Sequence, residues 1–93
     1  MTETAIRIDL WLWYARIFKS RSLAAKAVRE SRFRINKRVV TKPSQTLRPG
    51  DVLTFPKSDE VCVIEVVQLG TRRGPATEAR ALYRDLAAPS PTV

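Results

Sequence analysis

Residues 7–32 read Arg7-Ile8-Asp9-Leu10-Trp11-Leu12-Trp13-Tyr14-Ala15-Arg16-Ile17-Phe18-Lys19-Ser20, then Arg21-Ser22-Leu23-Ala24-Ala25-Lys26-Ala27-Val28-Arg29-Glu30-Ser31-Arg32. Their periodicity decides the architecture. Ile8, Leu12 and Ala15 fall at helical spacing, flanked by Trp11 and Phe18, which predicts a helix over 9–18. Asp9 suits its N-terminus as a cap or first-turn acid. Ser20 caps a second helix predicted over 21–31. With Arg21 at the origin and about 100° per residue, Arg32 falls near 20°, Arg29 near 80° and Lys26 near 140°. Leu23, Ala27, Ala24 and Val28 occupy roughly 200° to 340° of the same wheel. Apolar and basic residues therefore take opposite sides. An ordinary solvated helix face mixes signs to gain i,i+4 pairs, whereas this one is cationic, with Glu30 lying beyond the cluster.

The charge of the whole chain follows the same division. Its net charge is +8, yet residues 1–50 carry twelve Lys/Arg against three Asp/Glu, and residues 51–93 carry five against six. A basic half joined to a neutral half implies a face for a polyanion, with RNA and DNA equally open on charge alone. At 93 residues and 44% hydrophobic content the chain makes one domain with a modest core. The lone Cys62 excludes an intramolecular disulfide or a multi-cysteine metal site and fits a reducing cytoplasm. No apolar run is long enough for a membrane span, and no signal peptide is evident, so the expected location is cytoplasmic.

After residue 32 the period changes. Phe33-Arg34-Ile35 alternates, Asn36-Lys37 suits a tight turn, and Val39-Val40 starts a return strand. Arg48-Pro49-Gly50-Asp51 is a β-turn, followed by a strand over 52–55. A loop over 56–60 then leads to a long β-branched strand over 61–69. Residues 70–74 form a basic loop, and Ala79, Leu82, Tyr83 and Leu86 predict a last helix over 75–86. Residues 1–5 and 87–93 are expected to be flexible ends, leaving 6–86 as the domain.

Arg7-Ile8-Asp9-Leu10-Trp11-Leu12, Ser20-Arg21-Ser22-Leu23-Ala24, Phe33-Arg34-Ile35-Asn36, Pro43-Ser44 and Gly50-Asp51-Val52-Leu53 stand in the order and spacing of one known pattern. The sequence resembles the S4 RNA-binding domain family over residues 7–54. Within that family, Trp13, Ala15-Arg16, Phe18-Lys19-Ser20-Arg21, Arg72-Arg73, Pro75-Ala76-Thr77-Glu78-Ala79 and Leu82-Tyr83 resemble the bacterial ribosome-associated heat shock protein 15 group. The resemblance implies an α+β, S4-type (alpha-L) fold, with two N-terminal helices packed on a small, mainly antiparallel β segment and a short C-terminal helix. It implies binding to structured RNA, ribosomal RNA of the large subunit in particular, and a part in stress response or recycling of stalled subunits. It also implies that Arg7 and Asp9 are architectural, tying the helix start to the β segment. Three departures stand out. Lys37 replaces the glycine usual after the asparagine, Ser31-Arg32 replaces a glycine before the first strand, and the long basic extension of the heat-shock group has no counterpart before Val93.

The expected RNA face joins Arg16, Lys19, Ser20, Arg21, Ser22, Lys26, Arg29 and Arg32 to Arg34, Asn36, Lys37, Arg38 and Lys42 on the first hairpin. Arginine forks and hydroxyls match phosphate oxygens, and a helix N-terminus attracts anions. Lys19, Arg21 and Arg29 are its expected centre. Arg72 and Arg73 either add a second contact or merely open the last helix. Trp11 and Phe33 are expected in the core, while Trp13 and Tyr14 suit either core packing or base stacking. An enzyme is not expected. Histidine is absent, the acids belong to caps and turns, and Cys62 lies in a strand that calls for packing. No cofactor or metal is expected, and a monomer is the default. The rival readings are a DNA-binding basic helical module and an RNA-binding accessory subunit of a separate RNA-modifying enzyme.

Overall fold

A computed structural model of the chain describes residues 4–57 and 59–86; apart from Thr4 and Ala5, the ends expected to be flexible lie outside these. Strand β1 (Ile6–Arg7) runs directly into helix α1 (Ile8–Tyr14) and pairs antiparallel with β4 (Thr46–Leu47). The N-cap residue Arg7 gives α1 no side-chain cap, and Asp9 Oδ1 accepts from the Leu10 N–H at 2.8 Å. The backbone N–H groups of Ile8 and Asp9 donate to the carbonyls of Gln45 (2.7 Å) and Pro43 (3.3 Å), so a distant loop satisfies these other orphan donors of the first turn.

Helix α1 stops four residues short of the expected Phe18. Arg16 adopts φ +58°, its N–H donates to the Trp13 carbonyl, and the Ile17 N–H donates to the Leu12 carbonyl. These two bonds form a Schellman cap with arginine where glycine is usual. No glycine marks the end, so periodicity alone runs through it. Helix α2 (Arg21–Glu30) begins as expected, with Ser20 Oγ accepting from the Leu23 N–H at 3.1 Å. It buries Ala24 and Val28, while Leu23, at the rim of the apolar stripe, is 48% exposed. Ser31 is already extended, so Arg32 leaves the helical wheel.

The five-stranded antiparallel sheet has the order β3 (Arg38–Val40), β2 (Phe33–Ile35), β5 (Val52–Lys57), β6 (Glu60–Val66), β7 (Tyr83–Asp85). The first hairpin pairs Ile35 with Arg38. Only Asn36 in its turn has positive φ, +60°. Lys37 itself is not left-handed, so it stands where glycine is usual without the strain of a positive φ. Asn36 is further pinned by its N–H to the Val52 carbonyl (2.6 Å) and by the Val52 N–H to its Oδ1 (3.0 Å).

The expected loop over 56–60 is largely strand, with β5 and β6 paired as far as Lys57 and Glu60. Val52 turns its N–H and carbonyl toward Asn36, so by alternation the ring nitrogen of Pro56 faces the same side, beyond the last β2 pair at Thr54. Its missing N–H therefore breaks no ladder bond. The last helix is also shorter than expected. Helix α3 covers Ala76–Arg80, and residues 83–85 pair with β6 as an edge strand. Val67 and Gln68 both donate to the Leu82 carbonyl, which locks this segment in place.

Both helices pack on one sheet face, where Ile8, Trp11, Leu12, Ala24 and Val28 meet Phe33, Val40, Leu47, Leu53, Phe55, Ile64 and Val66. Trp11 is fully buried and its Nε1 donates to the Gln68 carbonyl at 2.9 Å. Phe33 stacks on Phe55 at 4.7 Å with Phe18 alongside. The α+β arrangement expected from the sequence is the one present.

Candidate nucleic-acid interface

The cations expected to bind RNA, together with Arg7, fall into two sets. One set is spent on architecture. Asp9 is buried, and its carboxylate accepts from Arg7 Nε (3.1 Å), Arg7 Nη2 (3.0 Å) and the Leu10 N–H (2.8 Å), with Arg21 Nε at 3.6 Å. Arg21, expected at the centre of the RNA face, thus also fastens α2 to α1. Asp9 joins the two helices, and the tie from helix start to β segment is made by backbone instead. Arg16 Nε donates to the Gly74 carbonyl at 2.6 Å. Arg73 Nε donates to the Trp13 carbonyl at 3.1 Å, and its guanidinium lies 5.6 Å from the Trp13 ring centre. Arg72 pairs with Glu78 at 2.8 Å. Residues 70–74 are therefore clamped on the C-terminal end of α1.

Arg73→Gln should lower Tm by about 5 °C, because one carbonyl bond and one ring contact together contribute about 1 kcal/mol. RNA affinity should stay within about twofold if the contact is architectural, as a filter-binding titration beside a thermal melt would read.

The second set is free. Among the described residues, the side chains of Lys19, Lys26, Arg29, Arg32, Arg34, Lys37, Arg38 and Lys42 are exposed and make no hydrogen bond, ion pair or ring contact. Lys19 precedes the N-cap of α2, and Lys26 and Arg29 stand on its open face. Ser22 is exposed beside them, while the Ser20 oxygen is already engaged in capping. Arg34 is not brought to this group. It alternates with the buried Phe33 and points from the sheet face opposite the helices, between Val39 and Thr54.

Asn36, Lys37 and Arg38 line a groove of about 740 Å³ with Gln45, Thr46 and Arg48. Asp51 braces it, accepting from Asn36 Nδ2 (3.3 Å) and from the Arg48 N–H (2.9 Å). Arg48 was not expected to take part, because Arg48-Pro49-Gly50-Asp51 signals a turn; its proximity to the hairpin is set by tertiary pairing. Trp13 and Tyr14 are half-buried against each other at 6.0 Å.

A smaller cavity of about 250 Å³ is lined by Arg16, Ile17, Phe55, Lys57, Cys62, Ile64, Tyr83 and Asp85. Burial, and then the charge of Asp85, raise the Cys62 pKa above the ordinary thiol value, which disfavours a nucleophilic thiolate. No group of three His, Cys, Asp or Glu able to hold a metal occurs among the described residues. No helix among them is long and apolar enough to cross a membrane.

Comparison with known proteins bears on the family and the fold. The S4 domain model matches residues 6–53. The heat shock protein 15 homolog of Haemophilus influenzae is 32% identical over 85 residues, covering 91% of this chain and 64% of that protein. Heat shock protein 15 of Escherichia coli K12 is 32% identical over 82 residues, covering 88% and 61%. The chain thus spans somewhat over three-fifths of these relatives' length. The trimeric structure of Vibrio cholerae heat shock protein 15 superposes with a TM-score of 0.81 at 34% identity, covering 89% of this chain and 83% of that one. That neighbour does not match the monomer expected from the sequence. With the S4 model matching more than half the chain and the α+β fold shared with a heat shock protein 15, this chain belongs to the S4 domain family.

Proposed function

We propose that the chain binds structured RNA through α2 and the first hairpin, with Lys19, Lys26 and Arg29 as one contact and Lys37, Arg38 and Lys42, joined by Arg48, as the other. The observation that carries this reading is the set of free cations. Like charges left unpaired on one helix face repel each other and cost the fold stability, and a phosphate backbone relieves that cost. Arginine and lysine on an outward helix face suit backbone and shape reading, the mode available on helical RNA whose major groove is closed to side chains. Arg21, with its carboxylate partner at 3.6 Å and a side chain 44% exposed, keeps donors free for a phosphate.

The finer reading is that the RNA is ribosomal, of the large subunit, in a stress response or the recycling of stalled subunits. The similarity to heat shock protein 15 supports it. The same similarity, to a protein described as trimeric, supports self-association of this chain in place of a monomer.

Affinity for a folded RNA should fall linearly on a log–log salt plot, with a slope of roughly 4 to 5 if about six phosphates are contacted. Competition by duplex DNA at equal salt tests the partner, and a preference for DNA would sink the proposal. Crosslinking in cells followed by sequencing of the bound RNA tests the finer reading, with large-subunit ribosomal RNA as the expected enrichment.

A further inference from the structure

Among the described residues, only one of the two faces of the five-stranded sheet is covered. By alternation and register, the face away from the helices carries Val39, Arg34, Thr54 and Val63 in one row across four strands. Leu86 extends that row, since its N–H donates to the Val63 carbonyl. Val52, Glu65 and Arg84 form the next row, and Val61 stands opposite Pro56 beyond them. Val39 (60%), Val61 (62%), Val67 (39%) and Leu86 (47%) are among the five exposed large hydrophobics of the described residues, and none joins the packed core. The fifth, Leu23, lies on α2.

We propose that this open sheet face is where copies of the chain meet. The inference rests on the reading that the chain self-associates, and adds the surface that does it. Charge is the first argument. The chain carries +8, so two copies repel. The charged groups on this face are Arg34 and the Glu65–Arg84 pair, whose nitrogen and oxygen are 3.7 Å apart. It is nearly neutral, whereas α2 and the hairpin rim bear unpaired cations. Copies therefore approach at least electrostatic cost through the sheet, and the helical side remains open to RNA.

Area is the second argument. Four strand spacings of about 4.8 Å and six residues at about 3.3 Å give a face on the order of 400 Å². With its polar members Arg34, Thr54, Glu65 and Arg84 included, that is about half of what each partner brings to a standard stable interface. Association is accordingly expected in the micromolar range rather than as an obligate assembly. Arg34 fits here better than in the RNA face, since it sits in the middle of the apolar row with no partner of its own, placed for a carboxylate such as Glu65 of another copy.

The test is sedimentation velocity on the whole chain over about 1–200 µM, comparing wild type with Val61→Gln/Leu86→Gln and with Leu23→Gln. The double variant changes no charge, and both side chains are exposed, so folding should be retained; a melt checks this. Wild type should associate, the double variant should do so ~1,000-fold more weakly, since two facing copies lose four apolar side chains at about 1 kcal/mol each, and Leu23→Gln should behave as wild type. Association unchanged by the double variant, or weakened equally by Leu23→Gln, would overturn the surface while leaving self-association standing. A wild type monomeric throughout would overturn both. If RNA affinity alone fell in the double variant of such a monomer, the face would belong to RNA.

Discussion

Replacing Lys19, Lys26 and Arg29 together by glutamine should weaken RNA binding about 100-fold near 0.1 M salt, each lost phosphate contact contributing roughly 1 kcal/mol. The salt slope should fall by about 2 to 3 at the same time, since each contact accounts for 0.7–0.9 of it. Stability should hardly move, because none of the three side chains has a partner among the described residues. A modest gain is the expected sign, since like-charge repulsion along α2 is relieved. Affinity and slope measured together make the result specific. A drop in affinity with an unchanged slope would point to misfolding, and wild-type affinity would dismiss this face as the site. Arg21 is deliberately left out. Its guanidinium serves Asp9, so changing it would mix a binding effect with a structural one.

Asp9→Asn should cost about 2 kcal/mol, a fall of about 10 °C in Tm. The carboxylate is buried with a side chain 5% exposed, and it faces two guanidiniums on different elements. Removing the charge leaves Arg7 and Arg21 side by side without an anion. The cost stays below that of a wholly buried pair because both arginines, 49% and 44% exposed, turn to water. RNA affinity should fall too, by a few-fold, as α2 loses its anchor to α1 and Arg21 its orientation. Equal melting temperatures for the variant and wild type would remove Asp9 from the architecture proposed here.

The two helices, the first hairpin and the turn at Gly50 were legible because each is a local matter. Ser20 caps its own helix, and the stripe Ala24 and Val28 buries itself. What escaped depends on neighbours remote in sequence. Residues 83–85 have the spacing of a helix, and they become a strand because β6 offers an unpaired edge and Leu82 supplies a doubly used carbonyl. The stop of α1 is carried by Arg16 in a conformation usually reserved for glycine, held by a carbonyl 58 residues away. The same limit applied to the site. Composition identified the cations, yet it could not say that Arg7, Arg16, Arg21, Arg72 and Arg73 have internal partners, that Arg34 points from the other side of the sheet, or that Arg48 meets the hairpin. Type and period give inventory; only pairing divides it into used and free.

The capping of α1 by Pro43 and Gln45 has a consequence for how the domain acquires its shape. A seven-residue helix does not persist alone in water, and this one takes its first donors' partners from a loop about 35 residues downstream. Its last turn is held by Arg73, still further along. The basic platform is consequently not a portable peptide. A fragment carrying residues 7–32 would have every cation of the platform and stay coil, and a ribosome making the chain cannot complete both ends of α1 until the loop before β4, and then Arg73, have emerged.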